Sequence, residues 1–86
     1  SLNSEPDSQL KVTALLSLGN IMRILGDFNT AETTLEGALT IAQKLQDLPN
    51  IKIAFFSLGN LAQTREQPEV ALQFYQQASA ENSPVR

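Results

Sequence analysis

From Leu10 to Ala80 the apolar residues fall into four runs with helical spacing, separated by turn-forming residues. The first run contains Leu10, Val12, Leu15, Leu16, Leu18, Ile21, Met22, Ile24 and Leu25. Leu15, Leu18 and Met22 share one face by their i, i+3, i+7 spacing, while Leu16 and Ile24 lie off it. A helix apolar around so much of its circumference needs neighbours on two sides. Asp7 or Ser8 is placed to cap its start, and Gly26-Asp27 to end it. The second run, opened by Asp27 or Asn29, sets Ala31, Leu35, Ala38, Leu39, Ala42 and Leu45 on one face. Glu32 and Glu36 near its start and Lys44 near its end suit the helix dipole. Leu48-Pro49-Asn50 is the expected break, because proline cannot continue a helix. A third helix is expected from about Asn50 to Arg65, through Ile53, Ala54, Phe55, Phe56, Leu58, Leu61 and Ala62. Gln67-Pro68 opens a fourth, carrying Val70, Ala71, Phe74, Tyr75 and Ala78 and ending at Asn82-Ser83-Pro84. Residues 1–7 are polar and predict a flexible lead-in. No stretch alternates apolar and polar residues as a strand would.

Part of this pattern occurs twice. Ser17-Leu18-Gly19-Asn20 returns 40 residues later as Ser57-Leu58-Gly59-Asn60. Each glycine is followed at the same distances by two alanines, Ala31 and Ala38 in one case and Ala71 and Ala78 in the other. Glycine inside a helix costs about 1 kcal/mol against alanine, which is tolerable where a second helix must come close. Short loops make consecutive helices antiparallel neighbours. Four such helices can close into a bundle or stack as two hairpins, and the in-frame repeat favours the stack, since repeated positions solve the same packing problem each period. The expected fold is therefore all-α, with hairpins over residues 8–49 and 50–84.

Composition narrows the function. The chain has 86 residues, 42% of them hydrophobic, enough for one small domain of modest stability. A net charge of −3 without a basic block speaks against nucleic acid as a partner. No apolar stretch reaches the roughly 18 residues of a spanning helix, and there is no secretory leader pattern, so no membrane association is expected and the cytoplasm is the expected location. Cysteine and histidine are absent, which removes disulfides, thiolate chemistry, the common zinc sites and imidazole bases. The Glu32–Glu36 pair is read as a solvated helix start rather than an acid/base pair, and no cofactor is expected. The chain begins with Ser, which points to a processed product or a piece of a longer protein.

The repeat resembles the tetratricopeptide family. The matching residues are Leu15, Leu18-Gly19, Met22, Gly26, Ala31, Leu35 and Ala38 in the first unit. In the second they are Phe55, Leu58-Gly59, Ala62, Glu66, Ala71, Tyr75 and Ala78. Leu15 stands in the leading aromatic slot, Met22 and Ala62 replace a second aromatic, and Glu66 replaces the turn glycine. The period of 40 exceeds the usual one of about 34 and is similar to the subclass found in kinesin light chain, in G-protein regulators and in large bacterial signalling proteins. Armadillo and HEAT repeats share a period near 40 but lack this Leu-Gly and alanine ladder. The glutamine-rich fourth helix also has a bacterial look.

That resemblance implies a non-enzymatic scaffold binding a protein or peptide along a concave surface lined by the first helix of each hairpin. The residues expected there are Thr13, Leu16, Asn20 and Arg23, then Ile53, Phe56, Asn60 and Gln63. Asn20 and Asn60 are the sharpest candidates, since an amide both donates and accepts and so reads peptide backbone; the competing reading has them bonded inside the stack. The family's carboxylate clamp needs lysine where Leu16 and Phe56 stand, so a chaperone-tail clamp is not expected. The alternative function is a packing or self-association module without a peptide ligand; a regulatory domain of an enzyme encoded elsewhere in a longer chain is a more remote one. Two repeats lacking a polar cap predict self-association of the isolated chain through an exposed hairpin face.

Overall fold

The computed structural model describes residues 8–80. They form four helices: α1 Gln9–Leu25, α2 Phe28–Leu45, α3 Leu48–Thr64 and α4 Pro68–Ala80. Among the described residues there is no strand. The expected lead-in over 1–7 and the expected end of α4 at Asn82-Ser83-Pro84 lie outside the described residues.

Three turns at 20-residue intervals give the chain its regularity. In each, a residue in the left-handed region ends a helix: Gly26 at φ 90°, Gln46 at φ 56° and Glu66 at φ 60°. The next residue's N–H reaches back five positions, from Asp27 to Met22 O, Asp47 to Ala42 O and Gln67 to Ala62 O, each at 2.9 Å. The left-handed residue's own N–H bonds three positions back, at 3.0–3.1 Å. Together these bonds satisfy carbonyls that a helix end leaves without partners. Asp27 and Asp47 then cap the following helix, accepting from Thr30 N at 3.3 Å and Asn50 N at 3.4 Å. Ser8 does the same for α1, accepting from Lys11 N at 3.1 Å.

The break between α2 and α3 is therefore Gln46-Asp47, not Leu48-Pro49-Asn50. Pro49 lies in the first turn of α3, where its missing N–H costs nothing because that position has no intrahelical acceptor. Helix α3 starts at Leu48 for the same reason, ahead of the expected Asn50.

The helices are arranged as a stack. Each hairpin is packed on itself, α2 packs on α3, and α1 also touches α3, whereas α4 makes no more than a marginal contact with α1 or α2. The result is a slab of 40 × 36 × 13 Å, unlike a closed bundle, which would bring α1 against α4. Within each hairpin the glycine marks the closest approach. A Cβ at Gly19 would lie 2.5 Å from Leu35 Cδ2, and one at Gly59 would lie 2.5 Å from Tyr75 Cε1. Leu35 and Tyr75 occupy the same place in their repeats, so the two crossings are copies of each other.

The core runs through the seam between hairpins. Val12 and Leu16 of α1, with Ala31, Leu35, Ala38 and Ala42 of α2, form one buried cluster with Ile51, Ala54, Phe55, Leu58 and Leu61 of α3. The buried face of α1 is thus Val12, Leu16 and Gly19. Leu15 and Met22 are packed at its margin, and Leu18, expected on the same face as these two, is exposed. Leu45, at the end of the apolar face of α2, is likewise exposed.

Candidate functional site

The side of the slab formed by α1 and α3 carries the residues expected to bind a partner. These helices run parallel, since each is separated from the next by one antiparallel partner. They touch one another while α2 and α4 barely do, so the hairpins draw together on the α1/α3 side.

On that side the expected residues separate into two kinds. Thr13, Ile53, Phe56 and Gln63 are exposed, and Asn20, Arg23 and Asn60 are half-buried. Leu16 is 5% exposed and belongs to the seam, because α3 covers the flank of α1 on which it sits. Its counterpart Phe56 is 54% exposed, with its ring against Tyr75 at a centroid distance of 5.4 Å.

The two asparagines do different things. Asn20 Nδ2 donates to Ser57 Oγ at 3.2 Å, tying α1 to α3, while its Oδ1 is buried without a partner among the described residues. Arg23 follows the same course: Nη1 donates to Thr64 Oγ1 at 3.4 Å, and Nε is buried without a partner among the described residues. Asn60 instead accepts from the Tyr75 hydroxyl through Oδ1, and the same hydroxyl lies 2.9 Å from Gln63 Oε1. A hydroxyl has one proton, so Tyr75 donates to only one of these at a time. Thr13 Oγ1 donates to Gln9 O at 3.0 Å, a bond local to α1.

Two residues of this face were not anticipated. Ile24 is exposed near the end of α1, and Thr64 holds the same register on α3. The signal was present in Ile24, an apolar residue off the main stripe of its helix. Glu32, read as solvated, makes an ion pair with Arg65 of the other hairpin at 3.3 Å. Arg65 also lies over the Phe28 ring, with Cζ 5.8 Å from its centroid. Among the described residues no three acidic side chains gather as a metal site would require, and no helix is long and apolar enough to cross a membrane.

A family model described as tetratricopeptide repeat matches residues 10–80. The chain belongs to the tetratricopeptide repeat family. Membership accounts for the hairpin stack, the Gly19 and Gly59 crossings and the alanine ladder, and it makes this tetratricopeptide chain a protein–protein interaction module in the general sense. No curated protein and no solved structure matches the chain.

Proposed function

We propose that the chain is a protein-binding scaffold, part of a longer repeat array, that takes an extended partner segment on the α1/α3 face. The groove comprises Thr13, Asn20 and Arg23 with Ile24, and Ile53, Phe56, Asn60 and Gln63 with Thr64; Leu16 is left out because the seam buries it. The observation that carries the reading is the composition of this face: exposed isoleucines towards its two ends, with the Phe56 ring, the Arg23 guanidinium and amide and hydroxyl groups between them. Ile24 is in the register of Thr64, about three helical turns beyond Ile53, or roughly 16 Å along the axis. Roughly five residues of extended chain span that distance. Such a segment would place apolar side chains over Ile24 and Ile53 and its main chain along Asn60, whose Nδ2 has no partner among the described residues. The reading assigns no catalysis and no cofactor to the chain.

The test is binding of the native chain to a peptide array, beside an Ile24→Ser/Ile53→Ser variant. Both side chains are exposed, so the variant keeps its helices by circular dichroism. Peptides retained by the native chain and lost by the variant support the groove. Equal binding by both proteins, or none by either, contradicts it.

A further inference from the structure

The two asparagines of the repeated motif offer different atoms to the α1/α3 face. Asn20 gives Nδ2 to Ser57 Oγ, and its Oδ1 is buried. Asn60 is held by the other end of its amide: Oδ1 accepts from the Tyr75 hydroxyl, and Nδ2 has no partner among the described residues. The difference traces to the second helix of each hairpin. Tyr75 holds the register that Leu35 holds in the first hairpin, and leucine has no hydroxyl to give. Of the two asparagines, only Asn60 keeps a donor for an incoming segment.

That donor needs to be aimed. The last torsion of an asparagine is broad and roughly two-fold, so an unrestrained amide exchanges its oxygen and nitrogen easily. It then faces a partner now with a donor, now with an acceptor. The Tyr75 hydroxyl touches Asn60 Oδ1 and, at 2.9 Å, the side-chain amide of Gln63. The contact with Asn60 is the shorter of the two and suits O–H···O, whereas 2.9 Å suits N–H···O. With one proton and free lone pairs, the hydroxyl satisfies both neighbours by donating to Asn60 and accepting from Gln63, whose exposed amide is free to turn its Nε2 inward. A chain of this kind polarises along its length, which strengthens each bond. It leaves Asn60 Nδ2 and Gln63 Oε1 outward, a donor and an acceptor three residues apart on α3. An extended segment presents a carbonyl and an N–H along one edge, which such a pair complements. The ring that carries the hydroxyl rests on Gly59, where a Cβ would lie 2.5 Å from Cε1, and packs against Phe56 at a centroid distance of 5.4 Å.

We propose that Tyr75 is a positioning residue of the groove: its hydroxyl fixes the Asn60 amide so that Nδ2 reads a main-chain carbonyl of the partner segment, while Gln63 beside it reads an N–H. The proposal rests on the α1/α3 groove. Tyr75 acts through Asn60 and Gln63 and itself touches no partner.

The test uses Tyr75→Phe, which deletes the hydroxyl and keeps the ring on Gly59 and Phe56, so helix content by circular dichroism is unchanged. Nitrogen-15 relaxation of the unbound native chain should find the Asn60 side-chain amide as ordered as the backbone around it; in Tyr75→Phe it should be mobile. Calorimetric titration then uses the peptide that the native chain retains most tightly on the array. Asn60→Ala removes one hydrogen bond and should weaken binding about tenfold. Tyr75→Phe should weaken it about threefold, because the freed amide presents its donor only about a third of the time. The double variant should bind no more weakly than Asn60→Ala alone, since Tyr75 has no other route to the partner. An Asn60 amide that stays ordered in Tyr75→Phe, native binding by that variant, or a double variant weaker than Asn60→Ala would overturn the proposal and leave the groove standing. Failure of the groove shows separately, as binding unchanged in Ile24→Ser/Ile53→Ser, and takes the proposal with it.

Discussion

Replacing Gly19 with alanine adds one methyl group at the tightest point of the first hairpin. That methyl would stand 2.5 Å from Leu35 Cδ2 and 2.6 Å from Leu35 Cγ, distances at which something must move. Leu35 has no accessible surface, so its movement displaces the seam core as well. Overpacking of this kind costs about 1–3 kcal/mol, and full enclosure of Leu35 puts this case in the upper part of that range. Alanine returns about 1 kcal/mol through its better helix propensity. The net expectation for Gly19→Ala is a loss of about 1–2 kcal/mol. Gly59→Ala meets the ring edge of Tyr75 at 2.5 and 2.7 Å, yet this ring is half-exposed beside a groove shared with Lys52, Phe56 and Ala78 and can swing away. Swinging loosens its hydroxyl from Asn60 and Gln63, at about 1 kcal/mol, which the propensity gain roughly cancels. Gly59→Ala should therefore be close to neutral. Thermal unfolding followed by far-ultraviolet circular dichroism separates the two, since 1 kcal/mol shifts Tm by roughly 4–8 °C in a domain of this size. A Leu35→Ala background supplies the control: it costs about 2–5 kcal/mol itself, and Gly19→Ala should then become neutral or stabilising. The reasoning is refuted if Gly19→Ala raises Tm in the native background, or if Gly59→Ala costs more.

The remaining expectations use the same unfolding assay. Glu66→Gly relieves a left-handed non-glycine residue and should gain about 1 kcal/mol, as should Gln46→Gly. Gln67→Asp gives α4 the cap that Asp27 and Asp47 give α2 and α3, and should add about 1 kcal/mol. Ser57→Ala leaves the Asn20 amide without its acceptor and should cost about 1–3 kcal/mol, whereas Ser17→Ala, in the same register but exposed, should change stability by less than about 0.5 kcal/mol in dilute solution.

Much of the fold is legible in the residues alone. Four amphipathic runs, the Gly26-Asp27 turn and the paired Leu-Gly-Asn motifs lead to two stacked hairpins, and Gly19 announces a close crossing before any partner is known. The second turn was harder to read because its left-handed residue is Gln46, which carries no glycine signal, and Pro49 three residues on is the more conspicuous breaker. Proline two places into a helix and proline after a helix look alike until Asp47 is recognised as the cap. The face residues were less legible for a different reason. Leu16 and Phe56 hold one register, and the sequence pattern treats them alike, but only Leu16 has another hairpin beside it. Burial at the ends of a stack depends on what lies next along the array, which a local pattern does not contain. Asn20 and Asn60 diverge for the same cause: one faces Ser57 across the seam, and the other meets its own hairpin's Tyr75.

The central claim is that the α1/α3 side receives a partner segment. Its most direct test is a nuclear magnetic resonance titration of the isotopically labelled native chain with the best peptide from the array, below the concentration at which the chain associates. The account predicts shifts concentrated at Thr13, Asn20 and Ile24 on α1 and at Ile53, Asn60 and Thr64 on α3. Shifts confined to α2 and α4 would contradict it.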